Sequence, residues 1–355
     1  MSGSLAGRSF ASDVLKLLVV APLLLIVGGE AAAHVKWFAP YDLMCPPRPL
    51  FAVLGSPYFL PYCLFITFVM FATTYVDVLL VKRADGLNRR IGQLSTWFAP
   101  RAFLVMRLGV AAFFLSVAIY GNVILTPELK TTAPWVRWLQ VVIAILAIHP
   151  RTAILAALGI ASLYVFAISQ YGWFHLLDYP IFLGVAYYLA AMSVGGDKQR
   201  VPALTTLRAL TGITLLWGGM EKFAYPDWSF PLLIQRPSLS FGFSPEFYMM
   251  SAGFVEFTAA FLVITVALAA RVASVVLLLI FVAAIPEFGV IDLVGHAVII
   301  IVLIVLILSN NPIADRLETG RSAKAASALS VALYFGAFVA EATFFYVTHW
   351  IAYGN

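Results

Sequence analysis

Long apolar segments recur along the whole chain, and most of its charged residues fall in the short stretches between them. A helix of about 18 or more apolar residues can cross a hydrocarbon core of about 30 Å. Backbone polar groups in lipid must be satisfied within their own element, which favours helices over open sheets. The pattern therefore predicts an all-α, polytopic membrane protein with eleven spans, near residues 14–34, 58–81, 102–125, 134–150, 152–172, 175–194, 204–222, 247–268, 271–288, 290–309 and 328–351.

The composition agrees with a lipid bilayer as the surroundings of the chain. Only 11% of the 355 residues are charged and 62% are hydrophobic, whereas about 25% of residues are charged in a soluble domain. The mean hydropathy is +0.96. The first span follows a short basic, serine-rich leader, and we interpret it as a retained helix rather than a signal peptide.

Lysine and arginine are distributed unevenly over the two sides that eleven spans create. Cytoplasmic loops carry the excess of basic residues, and sixteen of the 22 fall on the side that holds the N-terminus. This predicts a bacterial inner membrane protein with its N-terminus in the cytoplasm and its C-terminus outside. The net charge of +5 is spread over short membrane loops, which gives no support to nucleic-acid binding. The six residues on the outer side are Lys36, Arg48, Lys130, Arg137, Lys222 and Arg236.

The middle of the chain has the pattern of a duplicated unit. Residues 101–194 and 203–309 each hold four predicted spans, and each unit has an arginine in its first helix, Arg107 or Arg208. An even number of helices makes the repeats parallel, as in the halves of some transporters. Outside the repeats, residues 1–100 hold two helices and a basic loop, and residues 310–355 hold a cytoplasmic linker and a last helix.

Three polar residues within the second repeat are the candidates for chemistry. Glu256 lies inside a predicted span, where a carboxylate is costly unless it is protonated or paired with Lys222 or Arg271. Asp292 lies one helical turn before His296, and a carboxylate beside an imidazole raises its basicity. Glu256, His296 and Asp292 are therefore predicted to exchange protons with a ligand, although helix packing explains His296 equally well.

Further charged residues near the same side are candidates for ligand binding. Lys222 is the natural partner of Glu256, but it can equally extend its amine to the membrane surface. Glu341 is a carboxylate deep in the last span, which by default indicates function. The predicted ligand-binding residues are Lys222, Arg208, Glu221, Glu287 and Glu341.

The first predicted outer loop contains the residue types that could bind a metal ion. Glu30 and His34 lie four positions apart on one helix face, and Met44 and Cys45 follow. A set of His, Met and Cys could hold copper, so His34, Glu30 and Cys45 are the predicted metal ligands. The alternative is an interfacial anchor made by His34, Lys36 and Trp37. The sequence also leaves open whether Cys45 and Cys63 form a disulfide, because the required geometry is demanding.

The second repeat resembles the DoxX family of small four-helix membrane proteins. The segments that carry the resemblance read RALTGITLLWGGMEK, GFVEFTAAFLVITVALAAR and VIDLVGHAVIIIV. DoxX-like proteins are associated with quinone-linked redox enzymes, so the resemblance implies a quinone as cofactor. This chain departs from the family in its duplication and its additional helices. The residues that fit the family pattern are Arg208, Gly218, Lys222, Glu256, Arg271 and His296.

Three functions follow from these features. The first is a membrane subunit of a quinone-linked redox system, which binds a quinone near the outer face and needs a redox partner protein. The second is a proton-coupled transporter, which parallel repeats and buried carboxylates favour. The third is a non-catalytic assembly subunit of a larger membrane complex. Nucleotide-driven transport is disfavoured, because the sequence has no Walker loop.

Overall fold

The computed structural model describes residues 35–83, 85–311, 313–314, 317 and 320–354. Within these ranges every regular element is a helix, and the pairing of Val123 with Lys130 is an isolated bridge. Thirteen α-helices occur in the described chain: α1 Leu50–Leu54, α2 Phe59–Arg83, α3 Asp85–Tyr120, α4 Pro134–Ile148, α5 Ala153–Tyr171, α6 Trp173–Leu176, α7 Pro180–Gly195, α8 Arg200–Ala224, α9 Phe230–Gln235, α10 Pro245–Thr265, α11 Ala267–Phe288, α12 Val290–Leu308 and α13 Ala323–Tyr353.

Seven of these helices are long and apolar enough to cross a membrane: α2, α3, α5, α10, α11, α12 and α13. Large apolar side chains on them point away from the protein, such as Phe68 and Val165, which are 70% and 65% exposed. The predicted span 14–34 lies outside the described residues. The other three predicted spans correspond to helices that fall short of this measure. Helices α4 and α7 have 15 and 16 residues, and α8 is less apolar than the seven because it is rich in threonine and glycine.

The helix ends follow local sequence signals. Proline occupies the first position of α4, α7 and α10, where its missing N–H has no helical partner to lose. The hydroxyl of Ser244 accepts a hydrogen bond from Phe247 N and caps α10. Between α11 and α12, Gly289 adopts a φ of 73°, which a residue with a Cβ rarely adopts.

Two sets of four helices pack in the same order. Helices α3, α4, α5 and α7 each contact the next one, and so do α8, α10, α11 and α12. The fourth helix of the first set, α7, packs on the first helix of the second set, α8. Likewise α12 packs on α3, so the two contacts between the sets are equivalent. Helices α2 and α13 pack against each other on one side of the second set.

An arginine in the first helix of each set contacts the end of the second helix. Arg107 donates to the carbonyl oxygen of Ile148, the last residue of α4. Arg208 donates to Val263 O near the end of α10, at 2.8 Å, and to Leu306 O near the end of α12. The last carbonyls of a helix have no partner within it, and both arginines supply donors to oxygens at these helix ends.

Loops at alternate helix ends meet in two groups, one at each end of the bundle. One end, here called the cluster end, carries Lys36, Arg48, Glu128, Asp178 and Asp227. The other, here called the basic end, is held by Lys82, which donates to Arg321 O, and by Arg271, which donates to Ser95 Oγ. Also near the basic end, Asp77 of α2 accepts a hydrogen bond from Ala269 N and caps α11.

Candidate functional site

A pocket of about 60 Å³ lies between the two sets of helices, and its lining extends from Asp178 near the cluster end to Glu256 in the middle of α10. It has room for about four water molecules, since one needs roughly 15 Å³ by this measure. Asp178, Tyr179 and Phe182 line it from the first set of helices. Lining residues from the second set and from the segment before α1 are Thr214, Gly218, Lys222, Glu256, Phe281, His296 and Trp37.

Lys222 and Glu256 form an ion pair on the pocket wall. Lys222 Nζ donates to Glu256 Oε2 at 2.7 Å, and the two side chains are 13% and 15% exposed. Glu256 lies eleven residues into α10, or about 16 Å along the helix at 1.5 Å per residue. The carboxylate therefore reaches about half of the way through a hydrocarbon core of about 30 Å.

The approach of α8 to α10 positions this ion pair. Gly219 and Gly253 lie where the two helices cross, and a Cβ on Gly219 would come within 3.2 Å of Phe257 N. Small residues allow two membrane helices to approach closely. Lys222 and Glu256 each follow one of these glycines by three positions, and residues three apart share a helix face, so the pair sits beside the crossing.

Asp292 and His296 form a second polar pair, at the wall made by α12. His296 Nδ1 lies 3.2 Å from Asp292 Oδ1, and both side chains are buried. Aromatic rings enclose the imidazole, with the Trp37 ring centroid at 4.7 Å and that of Phe281 at 4.5 Å.

A buried ionic cluster adjoins the pocket at the cluster end and is here called the Lys36 cluster. Lys36 Nζ lies 2.7 Å from Asp178 Oδ2, 2.8 Å from Glu221 Oε1 and 4.0 Å from Glu128 Oε1. The fifth member is His175, whose Nε2 lies 2.6 Å from Glu128 Oε1. Glu128 and Asp178 belong to the first set and Glu221 to α8, so Lys36 connects both sets. Asp178 lines the pocket as well.

Burial and charge act in opposite directions on Lys36. Burial by itself lowers the pKa of the amine, but the carboxylates of Asp178, Glu221 and Glu128 outweigh it, and the net pKa is well above 10.5. Burial and the nearby charge of Glu128 likewise raise the pKa of Tyr41 and of Tyr179, which keeps both phenols protonated. Lys36 is thus the permanent cation of the cluster.

Negative charge is in excess around the pocket. The Lys36 cluster and the two pocket pairs together contain five carboxylates, of Glu128, Asp178, Glu221, Glu256 and Asp292. Lys36 and Lys222 balance two of these five charges. A desolvated carboxylate without a full counter-charge favours proton uptake. The site therefore suits protons and cationic or neutral ligands, and disfavours anions.

The structure brings together some of the sequence-predicted site residues and separates others. Glu256, Lys222 and His296 meet at the pocket, Asp292 lies behind its wall beside His296, and Glu221 joins the Lys36 cluster. Arg208 is buried toward the basic end against carbonyl oxygens. Glu287 pairs with Arg236 at 2.8 Å on the surface of the cluster end, and both side chains are nearly half exposed. Glu341 is half-buried in α13 and does not line the pocket.

The predicted metal site is only partly within the described chain. Glu30 and His34 lie outside the described residues, while Cys45 is exposed and its thiol donates to Asp42 at 3.3 Å. Cys45 and Cys63 are both free thiols. Among the residues that the structure describes, no three His, Cys, Asp or Glu side chains are arranged to hold a metal ion.

The Lys36 cluster is the part of the site that the sequence did not reveal. Asp178 and Glu221 follow Lys36 by 142 and 185 residues along the chain. The sequence contained only one indication of the cluster, which is that each member lies at or near the end of a predicted span. Which of these charges meet depends on how the helices pack, and a single sequence does not contain that information.

A scan against family models finds none that matches the chain, and searches of curated proteins and of solved structures find no match.

Proposed function

We propose that this chain is an integral membrane protein that binds a protonatable, lipid-soluble ligand of the quinol class and exchanges protons with it. The observation that carries the proposal is the meeting of the Lys222–Glu256 pair, His296 and Asp178 at one pocket. Oxidation of a quinol releases protons together with electrons, and groups that accept protons must lie within hydrogen-bond reach of the reacting oxygen. The resemblance to the DoxX family favours the same ligand class.

The excess of carboxylates supports a proton-handling role. Asp178 belongs both to the pocket lining and to the Lys36 cluster. A proton released in the pocket can therefore pass to Asp178 and on to the other carboxylates of the Lys36 cluster at the cluster end. The sequence has no Cys-x-x-Cys-His haem attachment and no dinucleotide fingerprint. Electrons from the quinol would pass to a partner protein, and the chain acts as a membrane subunit of a redox system.

Binding experiments with purified protein test the proposal. We expect the chain to retain quinone through lipid extraction and mass spectrometry, and to bind added decylubiquinone at a single saturable site. Glu256→Gln and His296→Ala are expected to weaken this binding at least tenfold, because each removes a hydrogen-bonding group from the pocket. Glu287→Gln is the matched control, since Glu287 lies at the cluster end outside the pocket. Equal affinity in all four proteins contradicts the proposal.

A proton-coupled carrier is the second candidate function. The pocket lies between two sets of helices that pack in the same order, and carriers built from repeats bind substrate between them. We infer that the two sets are a duplicated unit. Uptake of a labelled solute into proteoliposomes by the protein alone, driven by a pH gradient, would favour the carrier. Binding of quinone without flux favours the redox subunit.

We further infer that the cluster end faces away from the cytoplasm, because most of the basic residues fall at the other end. Cys45 offers a direct test, since it is exposed at the cluster end while Cys63 is half-buried. In intact cells, a membrane-impermeant maleimide should label the protein, and Cys45→Ser should abolish the labelling. Labelling only after cell lysis would reverse the orientation.

A further inference from the structure

The indole of Trp37 occupies a slot in the pocket wall. Trp37 lies in a short 3-10 turn, Val35–Trp37, directly after Lys36, and lines the pocket. Its ring contacts His296, whose imidazole in turn contacts Phe281. The slot is therefore lined by aromatic rings, which attract a planar aromatic group more strongly than an aliphatic one.

Gly295 provides the floor of this slot. A Cβ placed at Gly295 would overlap ring atoms Cη2, Cζ3 and Cζ2 of Trp37. The indole thus lies flat against backbone that only a glycine leaves open. By contrast, a Cβ at Gly336 of α13 would meet no atom within 4 Å, which makes Gly336→Ala a matched control for a glycine substitution in a helix.

The pocket is too small to hold an aromatic ring in addition to the indole of Trp37. A cavity of about 150 Å³ accommodates benzene, whereas the pocket beside Trp37 measures about 60 Å³. A quinol ring therefore does not fit while the indole is in place. An indole is larger than benzene, so its departure would add enough volume for one substituted six-membered ring.

We propose that the slot formed by Gly295, His296 and Phe281 is the binding subsite for the planar ring of the ligand, and that Trp37 is its built-in occupant. The ring takes the place of the indole, and the neighbouring Lys222–Glu256 pair meets its oxygen atoms. Trp37 thereby sets the size and flatness of ligands that enter. The ligand class rests on the proposed function, but the subsite itself does not.

The subsite is tested with free indole as a substitute for the missing side chain. Trp37→Ala is expected to bind 5-fluoroindole saturably, seen as a shifted ¹⁹F resonance, whereas the wild type shows only non-saturable partition. Adding Gly295→Ala to Trp37→Ala should weaken this binding at least tenfold, because the new methyl group projects into the slot. Adding Gly336→Ala should leave it unchanged. Trp138→Ala, which removes a tryptophan that is 70% exposed, should bind no 5-fluoroindole.

Absence of saturable 5-fluoroindole binding to a folded Trp37→Ala protein overturns the subsite. Duroquinone, a flat ring with two carbonyl oxygens, is then added as competitor. Displacement of 5-fluoroindole supports both the subsite and the quinol class. Saturable indole binding that duroquinone does not displace leaves the subsite standing and contradicts the proposed function alone.

A measurement on the wild type covers the case in which Trp37→Ala does not fold. The protein is labelled with 5-fluorotryptophan, and the Trp37 resonance is assigned with Trp37→Phe. Saturating duroquinone should move this resonance to the position of a water-exposed indole, with a larger shift on exchange from H₂O to D₂O. A Trp37 resonance unchanged by duroquinone, while other signals confirm its binding, overturns the proposal.

Discussion

Substitution of Lys36 by methionine should destabilise the protein more than any other single loss of a lysine. Lys36 is only 5% exposed, and its amine lies 2.7 Å from Asp178 and 2.8 Å from Glu221. Removal of one partner from a buried ion pair costs about 3–5 kcal/mol, because the other charge stays buried without compensation. That cost corresponds to an increase of roughly a hundredfold to a few thousandfold in the unfolding constant.

Reversible unfolding in mixed micelles, with increasing SDS, measures this loss. Lys130→Met is the matched control, because Lys130 is exposed at the same end and exposed charges contribute about 0–1 kcal/mol. Adding Asp178→Asn and Glu221→Gln to Lys36→Met should restore much of the stability, since the uncompensated charges are then gone. If Lys36→Met costs no more than Lys130→Met, the Lys36 cluster does not hold the two sets of helices together.

The pH dependence of this stabilisation has a definite sign. The pKa of Lys36 is raised above 10.5 in the folded protein, chiefly by the carboxylates that outweigh the effect of burial. A raised pKa means that its contribution is fully present below pH of about 10.5 and is lost as pH rises through the folded value. The wild type should therefore lose stability relative to Lys36→Met only in strongly alkaline solution.

Three further predictions concern helix packing, the pocket and a helix cap. Gly219→Ala should destabilise the protein by about 1–3 kcal/mol through overpacking against α10. Gly218→Ala, where a Cβ meets nothing within 4 Å, should be neutral or stabilising by up to about 1 kcal/mol; equal effects would refute the close crossing. A double-mutant cycle of Lys222→Met and Glu256→Gln, measured by the same unfolding assay, should give a coupling of about 0.5–3 kcal/mol, and a coupling of zero would rule out the ion pair. Asp77→Ala should cost about 0.5–2 kcal/mol as the cap of α11 is lost, whereas Asp77→Asn should retain most of that stability; equal losses would contradict the capping role.

Most of the helices could be predicted from apolar segments alone. Spans such as 58–81, 152–172 and 290–309 agree with α2, α5 and α12 to within two residues, because lipid requires continuous apolar segments. The span 102–125 runs beyond the end of α3 at Tyr120. The apolar residues Val123, Ile124 and Leu125 lie in the loop after α3 and are buried against other parts of the protein. Hydropathy alone cannot distinguish an apolar segment buried in protein from one that contacts lipid.

The site was predictable where its residues are close in sequence or follow a pattern. Asp292 and His296 are one turn apart, and Lys222 was the expected partner of Glu256; both pairs form. The Lys36 cluster could not be predicted, because its contacts depend on how the helices pack. Trp37 and Lys36 were interpreted as an interfacial anchor, which their residue types allow equally well. Only tertiary structure shows that both are turned inward.

The central claim is that ligand binding at the pocket is linked to proton uptake, and titration calorimetry tests it directly. Decylubiquinone is titrated into the protein in buffers of different ionisation enthalpy, so that the dependence of heat on buffer counts the protons exchanged. A bound ring excludes water from the pocket that Glu256 lines, and removal of water disfavours the charged form of an ionisable group. The account predicts proton uptake by the wild type and much less by Glu256→Gln. Heats of binding that are independent of the buffer in the wild type would contradict it.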